Sequence, residues 1–248
     1  MRAYIQCKNG MPRKSSTFSA WLGFEEMGIE ALPFESTEEL GACERDDIVV
    51  GGIGMVRSRL RSLGVGTDEI NYPDELRPFL GRTLWTTTIE HVSHEVDSWP
   101  LFVKPVEGKH FTGGVVASTK DLVGKGCSGE DFPVICSDVV DFVSEYRCFV
   151  KYGMVLDVRH YRGDWSKALD RDVVEHAIAA YSSAPAGYAA DFGVTSDGRT
   201  LLVEVNDGYS LSPYGMWPAL YAQLLSARWA ELVGAEDPCD FGVPVPRI

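Results

Sequence analysis

No run of about 18 apolar residues, the length a helix needs to cross a bilayer, occurs in this 248-residue chain. The opening stretch MRAYIQCKNGMPRKSS carries a basic patch but lacks the apolar segment of about 7–15 residues that precedes a signal cleavage site. A soluble chain without a secretion signal is expected. Positive charge is scarce: 23 Lys and Arg against 36 Asp and Glu leave a formal charge of −13. Such a chain repels polyphosphate unless its cations are gathered in one place, so general nucleic-acid binding is disfavoured. The six cysteines, Cys7, Cys43, Cys127, Cys136, Cys148 and Cys239, form no C-x-x-C pair, which argues against a zinc knuckle or a dense disulfide scaffold. A reducing cytoplasm fits best. Cys136 and Cys148 sit in apolar runs and read as buried structural thiols, a catalytic thiol being the alternative. There is no internal repeat, no low-complexity tract and no Ser-His-Asp signature. What remains is an ordinary globular composition, 45% hydrophobic and 24% charged, on a chain long enough to bury a core.

The first hundred or so residues read as small α/β units. Ala3-Tyr4-Ile5-Gln6-Cys7 reads as a strand, and Ser15-Ser16-Thr17 offers the N-cap of a helix whose stripe runs through Trp21, Leu22, Phe24 and Met27 until Gly28 stops it. Ala31 to Phe34 and Asp47 to Val50 predict two more strands, the latter running through Gly51-Gly52-Ile53-Gly54 into an amphipathic stretch, Met55 to Leu63. That glycine turn reads either as an anion site at a helix N-terminus or as a plain strand-to-helix turn. Its spacing fails the dinucleotide fingerprint, which favours the plain turn and gives no ground for a nicotinamide cofactor. Tyr72 to Pro100 reads as helix and linker, with a domain boundary near residue 97. Beyond it strands dominate: Leu101–Val106, Val115–Ala117, Val134–Cys136, Tyr146–Val150, Val155–His160, Tyr188–Val194 and Leu201–Val205, interrupted by helices over Asp172–Ser182 and Trp217–Val233.

Three segments carry chemistry. In Leu201 to Gly208, strand alternation puts Glu204 and Asn206 on one face with Val203 and Val205 on the other, and a hairpin turn at Asp197-Gly198 would bring Asp191 beside them. Two carboxylates and an amide carbonyl, completed by water and phosphate oxygens, suit hard Mg²⁺; a solvated strand face with incidental acids is the alternative. Lys104, inside the apolar strand Leu101 to Pro105, needs an anion, and the Gly- and Thr-rich stretch after it, with Lys109, can lay backbone N–H groups over phosphates. A snorkelling edge-strand lysine and a plain loop are the alternative there. Glu145 and Arg147 share a strand face, with Asp157, Arg159 and Arg162 in the neighbouring hairpin. Arginines beside a dication site suit a phosphate or a carboxylate, and a surface ion-pair ladder is the bland reading.

In this order, the Val-Lys-Pro strand with its glycine-rich loop, the Glu-x-Arg strand, the Asp strand and the closing Glu204-Val205-Asn206 strand resemble the ATP-grasp superfamily over roughly residues 80 to 235. The run Val203 to Gly215 is similar to a clade of that superfamily marked by an arginine and two lysines. The resemblance implies an N-terminal α/β pre-ATP-grasp domain (1–97) followed by a two-lobed α+β ATP-grasp domain (98–248, smaller lobe 98–139, larger lobe 140–248). It implies ATP between the lobes, with adenine against Cys136, Ser137, Asp138 and Val139. Lys104, Lys109 and Glu145 would serve the nucleotide, and Asp191, Glu204 and Asn206 would hold Mg²⁺. Arg147 and Arg159, with Lys109, would neutralise the transferring phosphoryl group or grip the acceptor carboxylate. One departure stands out: where many members have a lysine ahead of the Val-Lys-Pro strand, this chain offers Arg82.

The family reaction makes an acylphosphate from a substrate carboxylate and ATP, which an amine or thiol then displaces. The expectation is therefore an ATP-dependent carboxylate–amine ligase acting on a small molecule or peptide, cytoplasmic, without nucleic-acid or membrane partners, and a homodimer by family analogy. Simple phosphotransfer and a non-catalytic nucleotide-binding module are the alternatives. The five histidines are dispersed; His110 and His160 are candidate bases, structural roles being the commoner reading. Tyr209 and Tyr214 are candidate walls of the acceptor pocket.

Overall fold

The computed structural model describes residues 1–107, 110–125 and 130–241. Its N-terminal unit is β1 (Ala3–Gln6), α1 (Ser15–Glu26), β2 (Ala31–Phe34), β3 (Ile48–Val50) and α2 (Ile53–Ser62), with a parallel sheet in the order β2-β1-β3. The strands are short apolar runs because crossover helices cover a parallel sheet on its faces. Gly28, at φ +76°, ends α1 as expected. The Ile29 N–H reaches back to the Phe24 carbonyl (2.9 Å) in a Schellman closure.

A second, antiparallel sheet in the order β4-β7-β5-β6 comprises β4 (Leu84–Thr88), β5 (Leu101–Pro105), β6 (Gly114–Val116) and β7 (Pro133–Ser137), with α3 (Ile89–His94) beside it. Residues 84–88, expected in helix and linker of the N-terminal unit, pair instead with β7, so the smaller lobe begins before the expected boundary near residue 97. Thr86, Thr87 and Thr88 hid this edge strand. An edge strand with exposed positions shows no apolar alternation, whereas β-branched residues suit its extended backbone. In β5, Leu101 and Val103 enter the lobe's core while Phe102 and Lys104 face away from it to the cleft.

The third sheet, order β11-β10-β8-β9, is antiparallel: β8 (Phe142–Lys151), β9 (Met154–Gly163), β10 (Gly187–Thr195) and β11 (Thr200–Asp207). It is flanked by α4 (Arg171–Ala180) and α5 (Pro218–Val233). Every residue of the central strand β10 is buried. Its alternation divides two cores: Ala189 and Phe149 join β1–β3, α1 and α5, while Tyr188, Ala190 and Phe192 join α4 and Leu202. The N-terminal unit and the large sheet thus share one apolar core, and the small sheet has its own around Val103, Val116, Val134 and Cys136. The chain is an α/β unit followed by a two-lobed α+β body.

Candidate active site

Small sheet, large sheet and the β3–α2 turn enclose a cleft of about 1140 Å³. Its floor depends on a bulge in β11. Asp191 pairs with Glu204, but Phe192 pairs with Leu202, so Val203 is an extra residue. Without it Leu202 and Glu204 would share a face. With it Leu202 joins Phe192 in the core, Glu204 turns to the cleft beside Asp191, and Val203, expected in the opposite layer, lines the cleft.

The three expected dication ligands come together. The Asn206 amide donates to Asp191 Oδ2 (3.2 Å) and to Glu204 Oε1 (3.1 Å). Lys104 Nζ crosses from the small lobe to Glu204 Oε2 at 3.1 Å. Arg147, opposite Asp191 on β8, donates through Nε and Nη2 to its two oxygens at 2.8 and 2.7 Å. One chain of hydrogen bonds therefore runs Lys104, Glu204, Asn206, Asp191, Arg147, with a cation at each end and the neutral amide bridging the two carboxylates. Glu204 and Asn206 line the cleft, whereas Asp191 is buried behind them.

This burial sets the electrostatics. Loss of water pushes the Asp191 carboxyl up to about 6 despite Arg147, with Glu204 and Glu145 adding to the rise. Burial works against the charge of Glu204 too, but the nearby Lys104 ammonium and the Asn206 amide outweigh it and hold that carboxyl below its usual range. Lys104 loses solvent as well, yet Glu204 and the Tyr72 hydroxyl keep its pKa above the ordinary value.

A second bulge shapes the other wall. Glu145 pairs with Arg162 and Tyr146 with His160, leaving Tyr161 as the extra residue of β9. Consecutive side chains then converge on one partner: the Tyr161 hydroxyl donates to Glu145 Oε2 and Arg162 to Oε1, each at 2.7 Å. Tyr161 stacks on Tyr214, and both rings lie near the Arg147 guanidinium.

The other expected site residues divide. Ser137, Asp138 and Val139 line the cleft, but Cys136 is fully buried in the small lobe's core and its side chain is not available to a ligand. Arg82 lines the cleft with its guanidinium committed to backbone: it donates to the Leu202 and Val203 carbonyls (2.7 and 2.8 Å) beside the first bulge. Arg159 neighbours Arg147 across the strands yet pairs with Asp157 at 2.6 Å and does not line the cleft. Lys109 lies outside the described residues. His160 packs edge-on against Tyr146 and also stays off the cleft. Within the glycine turn, the Gly52 N–H is taken by Gln6 Oε1 at 2.8 Å. Tyr209, an expected pocket wall, lines the cleft; sequence reading missed Tyr161, which reaches Glu145 only because the bulge breaks alternation, and Arg57, which lines the cleft and donates to the Tyr209 hydroxyl at 2.8 Å.

Among the described residues no group of three or more His, Cys, Asp or Glu side chains is placed to hold a metal. Two carboxylates and an amide are all the protein offers here. That fits Mg²⁺, which keeps several waters and takes much of its shell from phosphate oxygens, better than a cation requiring a complete protein cage.

No helix among the described residues is long and apolar enough to cross a membrane. No curated protein matches the chain in sequence. Among solved structures, a D-alanine–D-alanine ligase from Bacillus anthracis superposes with a TM-score of 0.58 at 16% identity, covering 94% of this chain and 98% of that one. D-cycloserine synthetase DcsG gives 0.57 at 13% identity over 92% and 99%. The macrocyclase MdnC from Microcystis aeruginosa MRC, solved with its precursor peptide MdnA, gives 0.50 at 12% identity over 91% and 99%. At such identities the likeness is one of fold. The sequence profile described as "ATP-grasp domain, R2K clade family 2" matches residues 79–224, from just before Arg82, through Lys104, Arg147, Asp191, Glu204 and Asn206, into α5. That match spans more than half of the chain and the whole cluster on the cleft floor, and the chain belongs to this family of the ATP-grasp superfamily.

Proposed function

We propose that this chain is an ATP- and Mg²⁺-dependent ligase that joins a carboxylate to an amine, or to a thiol, through an acylphosphate, on a small molecule or a peptide. One observation carries the reading: in one cleft Lys104 of the small lobe meets Glu204 of the large lobe, and from Glu204 hydrogen bonds run through Asn206 to Asp191 and Arg147 buried behind the floor. Nucleotide between the lobes would set its base against Ser137–Val139 and its phosphates toward Lys104, with Lys109 as a further phosphate contact. Glu204 and Asn206, with Asp191 behind them, are the residues to hold Mg²⁺, which when bound neutralises phosphate charge. Arg147 balances charge on the transferring phosphoryl group or the acceptor carboxylate.

The substrate carboxylate oxygen attacks the γ-phosphorus as the bond to the ADP oxygen breaks. The amine then adds to the acyl carbon and expels phosphate, losing a proton. No protein nucleophile is required, since positioning and charge neutralisation lower both barriers. The fold neighbours include a D-alanine–D-alanine ligase and a macrocyclase bound with its precursor peptide, which supports acceptors of either size.

The test is ADP release from Mg²⁺-ATP with a panel of amino acids and short peptides, with and without hydroxylamine as the amine. Hydroxamate formed together with ADP supports the ligase. A stable phosphorylated acceptor without amine would replace it by a phosphotransferase, and no thermal shift with Mg²⁺-ATP would overturn both.

A further inference from the structure

Tyr214 is held in a backbone conformation that its side chain disfavours. Its φ is +45°, in the left-handed region that bulky residues rarely enter, and Gly215 beside it has φ +83°. Strained non-glycine backbone persists only where its surroundings enforce it, and it gathers at functional sites. Here the strain aims a ring. Tyr214 stacks on Tyr161 with centroids 5.0 Å apart and planes 14° from parallel. Its centroid lies 5.1 Å from the guanidinium carbon of Arg147, and that of Tyr161 lies 6.0 Å away. Tyr161 is itself tied down by its hydroxyl on Glu145 at 2.7 Å. The edge of the same guanidinium docks on Asp191 through Nε and Nη2. Arg147 is thus restrained by a carboxylate at its edge and by aromatic rings against the charged group, a combination suited to a planar cation.

The geometry points to Tyr214 as a positioning residue for Arg147: a ring presented by left-handed backbone keeps the guanidinium docked on Asp191, so that its charge stays fixed just behind the cleft floor. The reactive role of that charge rests on the ligase reading above, but the docking does not.

Glycine adopts the backbone of residue 214 without strain, and Tyr214 is 41% exposed, so Tyr214→Gly removes the platform while relieving the fold. A ring needed only for packing would give the opposite pattern. The experiment uses the full chain and three readouts: thermal midpoint, the ¹⁵N-resolved guanidinium protons of Arg147, and steady-state ADP release from Mg²⁺-ATP with hydroxylamine present. For Tyr214→Gly the midpoint stays within about 3 °C of the parent. Its Arg147 Nη protons, distinct in the parent, average through rotation. KM for ATP changes by less than about twofold while kcat falls about tenfold or more. Tyr214→Phe keeps the ring and returns all three readouts to parental values. Unchanged Arg147 signals in Tyr214→Gly would overturn the proposal, as would a large loss of midpoint in that variant. If the parent releases no ADP, the ligase reading fails, and the Arg147 signals still decide the positioning role.

Discussion

Replacing Arg147 by Met leaves Asp191 without its partner inside the protein. The two side chains are 9% and 2% exposed and share two short hydrogen bonds, at 2.8 and 2.7 Å, so solvent screening gives little relief. Removing one member of a buried pair strands the other, which costs about 3–5 kcal/mol. An exposed pair would lose no more than about 1 kcal/mol. At roughly 2–4 °C per kcal/mol for a chain of this size, the thermal midpoint should fall by about 6–20 °C. Arg147→Lys keeps the charge but cannot occupy both carboxylate oxygens or lie flat against Tyr214, so it should lose about half as much. Arg147→Met combined with Asp191→Asn removes the stranded charge and should be more stable than Arg147→Met alone, with a coupling of about 1–3 kcal/mol in the double-mutant cycle. Urea unfolding at pH 7.5 measures all four proteins. A loss below about 1 kcal/mol for Arg147→Met, or a cycle without coupling, would refute the view that the pair is buried and mutually dependent.

Gly23→Ala should lose about 1–3 kcal/mol or more by urea unfolding, because a methyl there overlaps the Pro218 carbonyl and forces α1 away from α5. Asp47 is buried, which opposes its charge, but Arg2 and the Glu44 N–H more than offset this and hold its carboxyl below the usual 3.8. Its stabilisation is therefore complete above that value and is lost as pH falls through the lower folded value. Asp47→Asn should be less stable than the parent at pH 7 and approach it under acid, as midpoints between pH 2 and 7 will show. Glu204→Gln removes both the partner of Lys104 and a carboxylate from the floor. Calorimetry should find Mg²⁺-ATP binding weakened by about tenfold or more, roughly 1.4 kcal/mol, and unaltered affinity would contradict the proposed metal set.

Sequence made the floor legible because hairpin pairing is a local rule. Asp197-Gly198 closes the turn and lays β11 beside β10, which brings Asp191 near Glu204, while the extra residue Val203 sets them directly opposite each other. The same rule failed wherever a strand gained a residue. The side on which Val203 lies and the meeting of Tyr161 and Arg162 on one carboxylate both follow from bulges, which the local sequence does not announce. The ion pairs were open for a different reason. Several arginines and lysines near several acids admit many pairings, and only the packed structure decides that Arg82 turns to backbone, Arg159 to Asp157 and Arg147 to Asp191. Partner choice in turn bears on the proposed function: the arginine that loses its water to Asp191 and two tyrosines is fixed and desolvated, and on that reading a fixed charge in a place without water acts on a phosphoryl group more strongly than a mobile one in solvent. In the ligase proposed above, the electrostatic role is therefore assigned to Arg147 ahead of Arg159, which shares its face but lies at the open edge of the sheet with Asp157.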